Sequence, residues 1–357
     1  MDMKDFIDFS TNLNPLGPPS LLEKLILEAV KLKTYVSYPD YEYCELKEAI
    51  SSFHGISKNL VSVTNGSAEA LNLAIFALSK NIVAVVTLSP TYGEQDLNML
   101  LRVLGKRFSP IKAYRVVGNR WIFDIDFILE KIQCFRDALV ILSNPNNPTG
   151  SLLELRLLEE LAQELSRFNC TLMVDEVYID FIGDEFSGFN LNMDNLIITR
   201  SYTKIFSIPG LRIGIIYSPN RDFIERIEHI RSPWNVNIIA SYAITKFLES
   251  REELNKYLEV TRGTVRTLRK ELVKELNKVG FRAFDSYSNY ILSHFYGLDC
   301  LKLRDFLVRE YSILIRPCHN FIGLSREYFR VSVRPKEEII QLIRALKDFR
   351  RINEDRG

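Results

Sequence analysis

The chain is short of the residues that would tie it to a metal, a membrane, a nucleic acid or an oxidising compartment. Five cysteines in 357 residues (Cys44, Cys134, Cys170, Cys300 and Cys318) are odd in number and scattered, with no CxxC pair, and the four histidines are equally dispersed. No zinc-type spacing and no disulfide framework follows, so they read as reduced thiols of a cytoplasmic protein. No apolar run approaches the length of a membrane span, and the start Met1-Asp2-Met3-Lys4-Asp5 lacks a signal-peptide pattern. A formal net charge of +1 gives no electrostatic case for nucleic acid or an anionic membrane surface. Internal repeats, low-complexity segments and long linkers are also missing.

What is present is ample core material: 46% of the residues are hydrophobic and 25% charged, enough for one large domain and a smaller companion. The stretch Asp8-Phe9-Ser10-Thr11-Asn12-Leu13-Asn14-Pro15-Leu16-Gly17-Pro18-Pro19 is too rich in Asn, Pro and Gly for a regular element and predicts a shaped arm over residues 1–19. Ser20 is expected to cap a helix over 21–30, and Tyr38-Pro39-Asp40 a turn before a short helix from Cys44 to Phe53. From Leu60 onward, apolar runs alternate with amphipathic ones. Seven strands are predicted at 60–64, 82–88, 107–113, 138–143, 171–174, 195–199 and 212–217, with the clearest helices at 67–78 and 153–168. This is the pattern of an α/β fold: a seven-stranded, mostly parallel sheet sandwiched by helices, with ligands at the carboxyl ends of its strands. A helix near Ile238 and a long charged one from Arg251 to Lys278 follow. Residues 281–350 read strand–helix–strand–strand–helix, a smaller α+β domain, and the polar tail from Arg351 is expected to fray. The division expected is 1–19 as arm, 36–245 as large domain, and 20–35 with 246–357 as small domain.

Several strand ends carry chemically pointed residues. Lys204 lies between two core strands in Ser201-Tyr202-Thr203-Lys204, with Arg212 eight residues on. It either reaches solvent or is desolvated into a low-pKa amine able to act as a nucleophile. Thr64-Asn65-Gly66-Ser67-Ala68-Glu69 is either an anion site at a helix start or a glycine turn with Ser67 as cap. Tyr92, after Ser89-Pro90-Thr91, either packs or offers its ring to a planar ligand. Asn144-Pro145-Asn146-Asn147-Pro148-Thr149-Gly150 imposes a rigid turn that would point Asn147 into a cleft. Asp175, directly after an apolar strand and three residues before Tyr178, either caps a helix or waits for a cationic or N–H partner.

In order and spacing, Gly66-Ser67, Tyr92, Asn147-Pro148-Thr149-Gly150, Asp175…Tyr178 and Ser201…Lys204…Arg212 resemble the fold-type I pyridoxal-phosphate enzymes of the class I/II aminotransferase superfamily. The resemblance spans essentially the whole chain and implies roles. Lys204 would hold the cofactor covalently and later move the proton. Asp175 would pair with its pyridine N–H, Asn147 and Tyr178 with its phenolic oxygen, and Tyr92 would stack on the ring. Gly66, Ser67, Ala68, Ser201 and Arg212 would cradle its phosphate. Tyr38 matches a tyrosine that reaches the phosphate of the partner's cofactor, which implies a homodimer with shared sites.

Within the superfamily the chain resembles the branch of histidinol-phosphate aminotransferase and threonine-phosphate decarboxylase. Phe9-Ser10-Thr11-Asn12-Leu13-Asn14-Pro15, Pro233-Trp234-Asn235-Val236-Asn237, and the run from Arg316 to Arg334 lean toward the decarboxylase. Asn14, Arg316, Arg330 and Arg334 are the expected substrate residues. Arg330 and Arg334 would point to the same face of one strand. Arg330 matches the family's α-carboxylate ligand, and Arg316 and Arg334 could hold a phosphate. The expected substrate is a phosphorylated amino compound.

Overall fold

All seven predicted strands enter one sheet. From edge to edge it runs Val61–Thr64, Gly214–Tyr217, Leu196–Ser201, Thr171–Asp175, Ala138–Ser143, Ala84–Ser89, Arg107–Lys112 in a computed structural model that describes residues 6–354. The charged start at residues 1–5 and the end of the polar tail, 355–357, lie outside the described residues. Gly214–Tyr217 is antiparallel to both neighbours and the other pairings are parallel. Because successive side chains on a strand point to opposite faces, Val140 and Leu142 enter one apolar cluster while Leu139 and Ile141 enter another. The buried runs read from the sequence therefore have helices on both sides.

Register brings the chemistry to one edge of the sheet. Ser143 lies opposite Asp175, Asp175 opposite Thr199, and Gly214 opposite both Ser201 and Thr64. The antiparallel strand contributes its start rather than its end there, so Arg212 joins residues that leave the carboxyl ends of the others. Gly214 permits this close approach: a Cβ on it would lie 2.5 Å from Arg200 O and 3.1 Å from Gly66 Cα.

A second, four-stranded sheet has the order Arg282–Ala283, Tyr290–His294, Tyr328–Ser332, Arg316–Pro317. The helices Arg251–Lys278, Cys300–Tyr311 and Lys336–Glu354 close over one of its faces, burying Leu272, Leu303 and Leu342 against Ile291, Phe329 and Val331. The last helix runs through Arg351 to Glu354, where fraying was expected. The Ser20–Lys31 helix starts at Ser20 without a side-chain cap, so Ser20 is not the cap; Leu22 enters the apolar cluster of the larger sheet rather than that of the smaller one. A hairpin of Tyr114–Val117 with Arg120–Phe123 is absent from the predicted elements, although Gly118-Asn119 is a two-residue turn signal. The arm is not wholly irregular either. Ile7–Asp8 pairs in parallel with Ile313–Leu314, and Ser332 N donates to Phe9 O at 2.9 Å.

Behind the strand ends, Arg200 is completely buried. Its Nη1 donates to Asp180 Oδ1 at 2.9 Å and Asp184 Oδ1 at 2.7 Å, its Nε to Glu176 Oε2 at 3.3 Å, and its guanidinium lies over the Phe189 ring at 4.4 Å. Burial pushes Glu176 and Asp180 up; at Asp184, Arg200 and His54 outweigh burial and hold the carboxyl well below the usual range. Removing one partner of such a cluster leaves buried charge uncompensated, at a cost of about 3–5 kcal/mol. Arg200→Met is accordingly expected to lower the urea midpoint by an amount equivalent to several kcal/mol. An unchanged midpoint would show that the cluster contributes nothing to stability.

Candidate active site

The two sheets and the arm enclose a cleft of about 360 Å³. It is lined by Ser67, Ala68, Tyr92, Asn147, Asp175, Tyr178, Ser201, Lys204, Arg212, Arg316 and Arg330 of the expected residues, and also by Ser10, Thr11, Asn12, Val177 and Thr203. One end is a cup for an anion. The Ser67–Leu78 helix begins after Gly66 with no side-chain cap, so Ser67 does not cap it, and its first N–H groups lack intrahelical acceptors. Ser67, Ser201, Thr203 and Arg212 all line the cleft, with the Ser201 and Thr203 hydroxyls 2.7 Å apart and Arg212 beside Gly66. Gly66 does not itself line the cleft. With φ at +83°, it leaves room for Arg212, whose Nη2 would sit 2.7 Å from a Cβ there and donates to Asn65 O at 3.3 Å.

The floor holds an acid and an amine shifted toward each other. Burial raises Asp175 to about 6, against the hydrogen bond that Thr199 Oγ1 donates at 3.1 Å and the charge of Lys204. Burial lowers Lys204, and the guanidiniums of Arg330 and Arg212 lower it further. An amine so placed reaches its neutral, nucleophilic form at a lower pH than a free lysine does.

Above the floor the polar groups are oriented by one another. Arg330 donates through Nη1 to Asn147 Oδ1 at 2.5 Å and through Nη2 to Ser10 O at 2.6 Å. With its Oδ1 so occupied, Asn147 has Nδ2 left as a donor. Both Asn-Pro bonds of its turn are cis. Tyr178 accepts from Asn12 Nδ2 at 3.0 Å, so its own O–H remains to donate, and burial raises its pKa to about 12. Tyr92 is 64% exposed and lies along the cleft wall.

Three expected residues lie elsewhere. Asn14 does not line the cleft: its Nδ2 lies within hydrogen-bond distance of Ile205 O (2.8 Å), Tyr257 OH (2.8 Å) and Thr261 Oγ1 (2.9 Å), so it bolts the arm to the segment bearing Lys204. Arg334 is beyond the strand, which ends at Ser332, so alternation no longer governs its direction; its Nε donates to Glu338 Oε2 at 2.7 Å. Tyr38 is 75% exposed and stacked on Trp234 with centroids 4.3 Å apart, outside this cleft. Asn12 and Thr203, on the other hand, were not expected as site residues. Their place beside Asn14 and Lys204 in polar loop segments was the available signal.

The profile of the aminotransferase class I and II family matches residues 4–346. The chain belongs to the class I and II aminotransferases. It is 30% identical over 97% of its length to an adenosylcobalamin biosynthesis bifunctional protein of Leptospira interrogans, of whose length it spans only 39%. It is 29% identical over 96% of its length to the threonine-phosphate decarboxylase of Salmonella typhimurium, covering 90% of that protein. The crystal structure of a histidinol-phosphate aminotransferase from Clostridium acetobutylicum superposes with a TM-score of 0.83 at 29% identity, covering 96% of this chain and 98% of the other.

Family membership makes this aminotransferase-fold protein a pyridoxal-phosphate enzyme, and the donor set fits that cofactor. A phosphate matches the anion cup, a protonated ring nitrogen matches Asp175, and a phenolic oxygen matches the free donors of Asn147 and Tyr178. Among the described residues no cluster of His, Cys, Asp or Glu is placed to hold a metal, and no helix is long and apolar enough to cross a membrane.

A pH test follows for the floor. The folded pKa of Asp175, about 6, lies above its ordinary 3.8. The contribution of this group to stability is therefore fully present below about pH 4 and is lost as pH rises to about 6. The loss amounts to at most about 3 kcal/mol, less once cleft water screens it. Pairing with a cofactor ring N–H removes that cost. The rise in Tm on adding pyridoxal phosphate is therefore expected to be larger at about pH 8 than at about pH 5. In Asp175→Asn this difference should shrink. The same pH dependence in both proteins would sink the assignment of Asp175.

Proposed function

We propose that this enzyme decarboxylates a phosphorylated α-amino acid, threonine phosphate being the best fit. The observation that carries the reading is the pair of guanidiniums at one end of the cleft. Arg316 and Arg330 lie directly opposite each other on adjacent antiparallel strands, and both line the cleft. A single substrate with a carboxylate and a phosphate would occupy both at once; histidinol phosphate, which has no carboxylate, would engage one, the other serving the carboxylate of its oxo-acid co-substrate. Arg330 is the carboxylate ligand. Its terminal nitrogens each spend one N–H on Asn147 and Ser10 and keep another for a bidentate partner. Arg316 is the phosphate ligand, steadied by Pro317 O and Asn320 Oδ1. Arg334 does not line the cleft, and its Nε is held by Glu338.

Bound pyridoxal phosphate would supply an electron sink for the bond broken at the substrate α-carbon. Asp175, as a carboxylate, would keep the sink effective by holding the ring nitrogen protonated, and a cationic N–H partner favours that ionised form against the burial that raises its pKa. Asn147 and Tyr178 orient the ring, and Tyr92 covers one face. Arg316 and Arg330 would decide which bond at the α-carbon is broken, because between them they hold both anionic groups. Lys204 would hold the cofactor, and its Nζ would return a proton to the α-carbon after CO₂ leaves.

A second reading, transamination of histidinol phosphate, is favoured by the likeness to the Clostridium acetobutylicum enzyme and uses the same residues. The proposal also takes the protein to be a cytoplasmic homodimer. In support, Tyr38 and Tyr41 pack against Trp234 in an exposed aromatic cluster, with Tyr35 and Val36 exposed just before it in the chain, of the kind a second copy covers, which would carry Tyr38 to the partner's cofactor phosphate.

Incubation of the holoenzyme with threonine phosphate is expected to release CO₂ without any oxo-acid requirement. Glutamate formed from 2-oxoglutarate and histidinol phosphate, with no CO₂ from threonine phosphate, would replace the first reading by the second. Lys204→Ala should abolish either activity, and borohydride should no longer fix pyridoxal phosphate to the chain.

A further inference from the structure

Glu94 is a buried carboxylate for which the chemistry above has no use. It opens the Glu94–Val103 helix two residues after Tyr92, and only 3% of its surface is exposed. Thr87 Oγ1 donates to its Oε1 at 3.0 Å, Ser89 Oγ donates to the same atom, and Ile322 N donates to its Oε2 at 3.3 Å. Thr87 and Ser89 belong to the seven-stranded sheet. Ile322 lies in the loop between the Arg316–Pro317 and Tyr328–Ser332 strands of the other sheet. One carboxylate thus fastens the two sheets together beside the cleft. Gln95 Nε2 repeats the link, donating to Asn320 O at 3.4 Å.

The fastened loop carries the partners of Arg316. Asn320 Oδ1 accepts from Arg316 Nη2 at 3.0 Å, and the guanidinium lies over the Phe321 ring at 5.3 Å. A helix start gains from an acidic residue even when that residue is exposed, so the helix alone does not explain a buried carboxylate. Desolvating one is costly unless donors converge on it, and here they converge from both sheets.

We propose that Glu94 is a positioning residue for the phosphate end of the substrate. It fixes the loop at the depth from which Asn320 aims Arg316 into the cleft beside Arg330. This rests on the reading of Arg316 as phosphate ligand. Glu94 does not line the cleft, so its loss is expected in recognition of the phosphorylated substrate and not in cofactor loading.

The test uses holoenzyme carrying Glu94→Gln, Asn320→Ala, which cuts the same chain of contacts from its other end, or Arg316→Gln. For threonine phosphate, Glu94→Gln and Asn320→Ala should each raise KM about tenfold with kcat within about twofold. Their preference over unphosphorylated threonine should fall in step. The dissociation constant of pyridoxal phosphate, read from its visible absorbance, should not move. If Arg316→Gln leaves the preference for the phosphorylated compound intact, the substrate reading falls and this proposal with it. If Arg316→Gln removes the preference while Glu94→Gln and Asn320→Ala keep the wild-type KM, the positioning role alone is overturned. A rise in the cofactor dissociation constant of Glu94→Gln that matches its KM would mark Glu94 as general core structure and overturn it equally. Should Glu94→Gln not fold, Asn320→Ala decides.

Discussion

Everything at the working edge of the larger sheet depends on one buried guanidinium. Arg200 is the residue before Ser201, and it gathers carboxylates from three successive segments: Glu176 just past the end of the Thr171–Asp175 strand, then Asp180 and Asp184 in the turns that follow. Asp175 and Glu176 are consecutive, so the chain that faces the cleft through Asp175 is anchored behind it through Glu176. The same holds for Arg200 and Ser201. A charge cluster of this kind is poor value as pure stability, since an apolar core of equal volume does as well or better. What it adds is position: strands that would otherwise slide are held where Asp175, Ser201 and Lys204 come together.

The cleft is a seam between pieces rather than a hole in one of them, and its electrostatics follow from that. The arm supplies the Ser10 carbonyl and the Asn12 amide, the larger sheet supplies Asp175, Asn147 and Lys204, and the smaller supplies Arg316 and Arg330. Enclosure by all of them desolvates the floor. Desolvation disfavours the charged form of each group, so Asp175 rises and Lys204 falls, bringing an acid and a base toward the pH at which an enzyme uses them. The guanidiniums act in the same direction on Lys204. Arg330 and Arg212, both lining the cleft, thereby also help keep the amine neutral.

Much of this is legible in the chain because strand ends are legible. An apolar run that stops at Asp175, or resumes after Arg212, announces a residue at the rim of a parallel sheet, and the rim is where ligands bind. The failures share a cause. Asn14 lies in the same polar stretch as Asn12, yet one is turned to Tyr257 and Thr261 and the other to Tyr178, a choice made by neighbours some 160 to 250 residues away in sequence. Arg334 obeys the alternation that Arg330 obeys only if the strand continues, and it stops at Ser332. Glu94 reads as an ordinary acid at a helix start until Ile322 is seen across from it.

By itself, then, the sequence determined the seven strands of the larger sheet, the clearest of its helices, the family and with it the cofactor, because these depend on local periodicity and on residues tied to strand ends. Tertiary structure alone decided which polar side chains of the arm and the small sheet face the cleft, and how the two arginines are held. Those directions depend on hydrogen bonds between segments far apart in the chain, and no local pattern encodes them. Lys204 could be found from its surroundings in sequence; the pairing of Arg316 with Arg330 needed the register of two antiparallel strands.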